Sequence, residues 1–412
     1  MMNRKGPMLG RRGLTAGALA TPYIFGQRAT AQGTSEPLRI AVINDQTGPY
    51  ADLAGPGSVQ AAQMAVADVG ASVLGRPIEV LVGDHQNKPD IGLSLVREWF
   101  GPGRVSMVMD FANSAVSLGA QPLARQFDKI AIHVASTSSD ITGKGCSPNS
   151  FQWAQTTYAD ATALFHPLLQ AGKKTYFFIT VDYVFGLSTE ADATRAITAG
   201  GGRVVGSVKH PLNTTDFGSY LISAGASGAE VVVIASSGSD MATAVKQAAE
   251  FGLPRRQTVV TPICYLTDIH ALGLRTAQGL QFVQSWYWDL NDASREWAKR
   301  FSARMGRMPT DLQAAAYSAA LHYLRSVKAA GSADTQPVLS AMRSMPVQDM
   351  YTQNGQIQAN GKMVFDLHLM RAKSPAQSKG AWDYLEPVAR IPAAEAFRSA
   401  EASGCPFTAK PG

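Results

Sequence analysis

Two sets of side chains stand where this chain could do chemistry. The first is small and polar: Asn113 and Ser114 in DFANSAV, Ser136 and Thr137 in VASTSSD, and Ser237 in ASSGSD. Hydroxyls, an amide and backbone N–H groups at a helix start suit a carboxylate or another anion. The second is aromatic: Tyr50 in GPYAD, Tyr183 and Phe185 in DYVFG, Tyr265 in ICYL and Trp286 in SWYW. Such surfaces suit an apolar or planar body. Each residue alone has an ordinary use, since Ser and Asn cap helices and Tyr or Trp fills the rim of a core. Their shared position is more telling, because every one of them follows an apolar, strand-like run.

Those runs are LRIAVI (38–43), IEVLVG (78–83), VSMVMD (105–110), IAIHVA (130–135), YFFITV (176–181), RVVGSV (203–208), VVVIA (231–235), TVVTPI (258–263) and LQFVQS (280–285). Most are apolar without alternation, as expected of strands covered on both faces. Helical segments separate them, at 58–69, 91–100, 114–127, 157–171, 187–199, 239–251 and 309–330. Alternating strand and helix predicts parallel, doubly wound α/β sheets, whose sites lie beyond the C-terminal strand ends. The polar, Trp-containing stretch STSSDITGKGCSPNSFQWAQTTYADA reads as a crossing between two α/β lobes. Asn360-Gly361 lies between two short strand-like runs and predicts a late hairpin. After it the chain reads as an irregular tail.

Common catalytic signatures are missing. The sequence has no G-x-S-x-G elbow, no phosphate loop and no H-E-x-x-H, and Gly200-Gly201-Gly202 precedes a strand instead of following one. His133, inside an apolar strand, reads as a core residue. No His pair and no Cys-x-x-Cys stands at metal-ligand spacing, so neither metal nor cofactor is expected.

The chain of 412 residues is 45% hydrophobic and 17% charged, the balance of a folded protein. Its formal charge of +6 hints at an anionic partner, but the first 31 residues change that inference. They carry Arg4, Lys5, the pair Arg11-Arg12 and Arg28, no acidic residue, a mildly apolar stretch from Leu14 to Phe25, and Ala29-Thr30-Ala31. That layout is a twin-arginine-like export leader cleaved after Ala31. Removal leaves 32 basic against 31 acidic residues, and nucleic-acid binding loses its electrostatic motive. The mature chain is expected in the periplasm. There the three cysteines allow one disulfide and one free thiol. Cys146 in a polar loop and Cys405 in the tail are the expected pair, with Cys264 left reduced at a strand end.

With these pieces in place, the chain resembles the periplasmic solute-binding proteins of ABC transporters, in the leucine/isoleucine/valine-binding branch. The resemblance runs from about residue 36 to about 390 and rests on TGPYADLAGPGSVQAAQMAV, DHQNKPD, NSAVSLGAQPLA, ASTSSDITG, DYVFG and KQAAEFGL in that order. It implies two Rossmann-like lobes with parallel sheets, joined by a three-segment hinge and closing on a ligand in the cleft. The implied lobes are 36–154 with 285–350, and 155–284 with 351–392, followed by a tail at 393–412. Ser114 and Thr137 match positions that grip a ligand carboxylate, with Ala135 and Ser136 supplying backbone groups. Phe185 stands where relatives often have tyrosine. Amino-acid-binding relatives carry an acid after the eighth strand for the ammonium group; here Thr261-Pro262-Ile263-Cys264-Tyr265 has none before Asp268.

The resulting expectation is a non-enzymatic receptor, a monomer without cofactor. It closes on a carboxylate with an apolar or aromatic body and delivers it to a membrane permease. An amino acid ligand stays open, since Asp182 or Asp240 could stand in for the missing acid. A sensor domain of the same fold is a rival, and an enzyme using Cys264 as nucleophile is another. Cys264 has no basic neighbour in sequence to lower its pKa.

Overall fold

The computed structural model describes residues 36–408. The leader and its cleavage after Ala31 lie outside the described residues.

The first sheet is built from β1 (Leu38–Asn44), β2 (Ser72–Val73), β3 (Arg76–Asp84), β4 (Met107–Asp110), β5 (Ile130–His133) and β6 (Ser150–Gln152). Its order is β2-β3-β1-β4-β5-β6, parallel apart from the short β2. The helices α1 (Gly55–Asp68), α2 (Pro89–Phe100) and α3 (Ser114–Gln126) connect its strands. Local chemistry fixes their starts. Pro56 sits in the first turn of α1, where a missing N–H costs nothing, and Asn113 caps α3 by accepting from Ala115 N and Val116 N at 2.9 and 3.2 Å.

Thr156 caps α4 (Thr157–Gln170), which leads into a second sheet. This comprises β7 (Thr175–Val181), β8 (Arg203–His210), β9 (Val231–Ala235) and β10 (Thr258–Val260), all parallel, in the order β10-β9-β7-β8. Between them run α5 (Val184–Ala199), α6 (Gly218–Ala226) and α7 (Gly238–Glu250), with α8 (Leu266–Leu272) and α9 (Leu274–Ala277) following. In both sheets the winding reverses beside the first strand, between β1 and β4 and between β7 and β9. Those reversals are the places where doubly wound sheets leave a crevice.

The ninth apolar run does not join either parallel sheet. It forms β11 (Gln281–Gln284). Then come α10 (Asp292–Met305), α11 (Asp311–Ala330), α12 (Thr335–Ser344), the hairpin strands β12 (Gln356–Ile357) and β13 (Met363–Val364), β14 (Leu367–Ala372), β15 (Leu385–Ile391) and α13 (Ala393–Ala396). β11 pairs antiparallel with β14, which pairs with β15. Phe282, Met370 and Leu385 of this small sheet share a core with Phe177 and Val232 of the second sheet.

α11 returns to the first half of the chain. Thr310 and Gln313 form a capping box at its start, Thr310 Oγ1 donates to Leu53 O at 2.7 Å, and Tyr317 OH donates to Asp68 Oδ2 at 2.7 Å. The fully buried Trp153 satisfies its indole N–H on Ser318 Oγ at 3.1 Å. The tail after β15 is tied down: Cys146 and Cys405 are disulfide-bonded with Cα atoms 5.6 Å apart, across a sequence separation of 259.

Candidate functional site

A cavity with about 300 Å³ of empty space lies where the C-terminal strand ends of the two parallel sheets meet. Tyr50 and Leu53 reach it from the loop after β1, Ala112 and Ser114 from the β4–α3 turn, and Ala135 and Thr137 from the segment after β5. The second sheet contributes Tyr183 and Phe185 after β7, Ser237 after β9, and Ile263 and Tyr265 after β10.

The first-sheet wall is held in an unusual backbone conformation. Asp110, Phe111 and Ala112 have φ of 84°, 73° and 36°, three consecutive non-glycine residues in the left-handed region. Such strain persists only where surrounding contacts over-determine it, and it gathers at functional sites. Here Phe111 N donates to Ile43 O at 2.6 Å, His85 Nε2 meets Phe111 O at 2.6 Å, and Asp110 O receives Val134 N and Ala135 N. The Asp110 carboxyl accepts from Asn44 Nδ2 at 2.6 Å, and burial raises its pKa to about 6. The strained turn delivers Ala112 and Ser114 to the cavity.

Polar groups at the cavity are unspent. Among the described residues, the hydroxyls of Ser114 and Thr137 have no hydrogen-bond partner, and the buried Ser237 Oγ has none either. Ser237 is the N-cap residue of α7 but does not cap it with its side chain. A buried hydroxyl without a partner is costly unless something else completes it. Tyr50 OH and Tyr183 OH meet at 2.6 Å. Burial, then the neighbouring tyrosine, pushes the Tyr50 hydroxyl well above its usual pKa, so it stays protonated.

No charged side chain lines the cavity among the described residues. The acids nearest in sequence are committed elsewhere. Asp45 accepts from Gly48 N and Tyr50 N at 2.8 and 3.0 Å, Asp240 from Asn213 N at 2.9 Å, and Asp268 from Tyr265 N at 2.8 Å. Asp182 does not line it either.

Three of the expected site residues stand back from the cavity. Asn113 spends its carbonyl on the cap of α3 and its amide on Asn87. Ser136 is buried outside the lining, although Thr137 beside it is part of it. Trp286 is a core residue: its indole N–H donates to Met350 O at 3.0 Å and its ring meets Trp297 edge-on. Conversely, Leu53, Ala112 and Ile263 line the cavity without having been expected. Cys264 is fully buried and reduced, and burial pushes its thiol well above the usual pKa, which makes a nucleophile of it least of all. His133 is likewise core, 3.0 Å from Ser117 Oγ through Nδ1, with burial lowering its pKa to about 3.

The two halves touch on more than the tyrosine pair. Ser138 Oγ and Ser188 Oγ are 2.7 Å apart, and Ser139 Oγ donates to Asp192 Oδ2 at 2.7 Å. Gly238, with φ of 60°, lies so near the loop after β1 that a Cβ there would sit 2.5 Å from Pro49 O.

Comparison with known proteins now adds to this geometry. The profile of a family described as periplasmic binding protein matches residues 37–381. A periplasmic binding protein from Burkholderia mallei is 39% identical, with a TM-score of 0.89 over 91% of this chain and 100% of that one. A branched chain amino acid ABC transporter periplasmic ligand-binding protein from Burkholderia xenovorans LB400 is also 39% identical, with a TM-score of 0.80 over 90% and 99% of the two chains. Leu/Ile/Val-binding protein homolog 6 of Brucella abortus (strain 2308) is 26% identical over 216 residues, 52% of this chain. The match spans about half the length of such curated relatives, 54% in this case.

Proposed function

The chain belongs to the periplasmic binding protein family, a family of non-enzymatic binding receptors, and on that premise we propose that it is the solute receptor of an ABC importer. It closes two lobes, 36–154 with 285–350 and 155–284 with 351–392, on a small ligand and presents that ligand to a membrane permease. The mature receptor is a periplasmic monomer released from its leader after Ala31.

The ligand is a carboxylate with an apolar or aromatic body. One observation carries this reading: the cavity offers the unpartnered hydroxyls of Ser114 and Thr137 on its first-sheet wall and the rings of Tyr183, Phe185 and Tyr265 on the other, with no charged side chain among the described residues. A carboxylate received by Ser114, Thr137 and backbone N–H groups makes two or more charge-assisted hydrogen bonds, roughly 1.5–3 kcal/mol each. Tyr183, Phe185 and Tyr265 cover its body. An ammonium group would find no carboxylate in the lining. A branched-chain amino acid is the second reading, favoured by the relative from Burkholderia xenovorans, whose name carries that ligand.

The test is mass spectrometry of small molecules released when purified protein is denatured. A carboxylic acid lacking an amine supports the first reading. A released amino acid selects the second, and a covalent adduct or turnover product contradicts both.

A further inference from the structure

A second polar cavity, sharing no residue with the first, lies behind the segment that joins the first sheet to α4. Its walls come from the turn after β5, the start of α4, the β12–β13 hairpin and the chain after α13. Two basic side chains, Lys362 and Arg398, line it and, among the described residues, no acid does.

Lys362 is 3% exposed and donates to the carbonyls of Gln152 and Trp153 at 3.2 Å each, and to that of Ala154. It forms no ion pair among the described residues, and Asp160, the one acid acting on it, lies beyond ion-pair distance. Its protons are spent on these carbonyls, and burial pushes its pKa well below the ordinary lysine value. Arg398 is half-buried, with its guanidinium carbon 4.5 Å from the centroid of the Tyr158 ring. Among the described residues Arg398 has neither a hydrogen bond nor an ion pair. The Tyr158 hydroxyl is also without a partner there. The other polar side chains of the cavity are engaged: Thr142 Oγ1 with Gln152, Ser139 Oγ with Asp192, and Asn360 Nδ2 with Thr142 O.

We propose that this cavity binds a small oxyanion of the phosphate or sulfate class, gripped by the Arg398 fork and the Tyr158 hydroxyl. A planar fork of N–H donors matches two oxygens of an oxyanion, and a hydroxyl beside it adds a further donor. The bound anion ties the tail after α13 to the segment that crosses from the first sheet to α4. It acts from outside the ligand cavity, and the site stands whether or not the proposed ligand class is right.

Thermal unfolding of the mature protein tests this, with inorganic phosphate replacing chloride at constant ionic strength. The expected result is a saturable rise in Tm. Arg398→Gln should weaken the apparent phosphate affinity by about tenfold or more, and Tyr158→Phe by less. Both substitutions alter partly exposed side chains, so folding persists. Ser114→Ala should leave the phosphate response unchanged. The site is overturned by a wild-type response that does not saturate, by equal responses in wild type and Arg398→Gln, which would mean an adventitious ion only, or by loss of the response in Ser114→Ala, which would move the phosphate into the ligand cavity.

Discussion

The hydroxyl oxygens of Tyr50 and Tyr183 stand 2.6 Å apart, one on the loop after β1 and the other at the N-cap of α5. They join the two walls of the ligand cavity, and both belong to its lining. A neutral hydrogen bond of this kind contributes about 0.5–1.5 kcal/mol. If it holds the closed arrangement, Tyr50→Phe and Tyr183→Phe should each weaken ligand binding by about two- to tenfold. The double variant should lose little more than either single one, because both remove the same bond. Calorimetric titration of the four proteins reads this directly, and strictly additive losses would show that the tyrosines act separately.

Gly238 lets the halves approach. A Cβ there would lie 2.5 Å from Pro49 O, and its φ of 60° is a conformation that L side chains rarely adopt. Gly238→Ala should therefore hold the cleft ajar, costing about tenfold or more in ligand affinity. Small-angle scattering should show a larger radius of gyration for this variant with saturating ligand than for wild type. Equal radii and equal affinities would remove Gly238 from the closing contact.

Asp110 gives a pH signature. Burial raises its folded pKa to about 6 from an ordinary value of 3.8. Between those values the folded state binds more protons than the unfolded one, so this residue's contribution to stability falls as pH rises from about 4 to about 6. Asp110→Asn mimics the protonated form. Relative to wild type, the variant should gain stability over that window, by at most about 3 kcal/mol. Urea unfolding at pH 4 and pH 7 checks it, and a variant-minus-wild-type difference independent of pH would refute the assignment.

The Cys146–Cys405 bond fastens the chain's last described segment to the loop before β6. Closing so long a loop restricts the unfolded chain, and its reduction should cost about 2–4 kcal/mol. Thiol titration of denatured, unreduced protein should find one thiol, that of Cys264. Three thiols would contradict the bond.

The parallel strands were legible because burial on both faces leaves runs such as VVVIA almost wholly apolar. β6 was not, since its three residues, Ser150, Phe151 and Gln152, sit in a polar stretch and acquire their pairing from β5 and, at Gln152, from Lys362. β11 misled because LQFVQS has the same apolar look as a parallel strand, while its partner, β14, lies some eighty residues later in the chain. β15 was hidden by Pro387 and four exposed positions, which a short edge strand tolerates.

The strand-end rule brought together most of the cavity lining from Tyr50 to Tyr265. It failed where a side chain had a stronger local partner. Asn113 is captured by the helix it caps, and Trp286 by Met350 O and Trp297. It also passed over Ala112, because a left-handed turn without glycine leaves no mark in the sequence.

The cavity is expected to hold a carboxylate without needing an ammonium group. A thermal-shift panel checks this by comparing leucine and phenylalanine with their deaminated acid analogues and their neutral amides. The deaminated acids should raise Tm at least as much as the amino acids do, the neutral amides should not, and Ser114→Ala should weaken the acid response by about tenfold. Stabilisation by the zwitterionic amino acids alone, or by amides and acids equally, would contradict it.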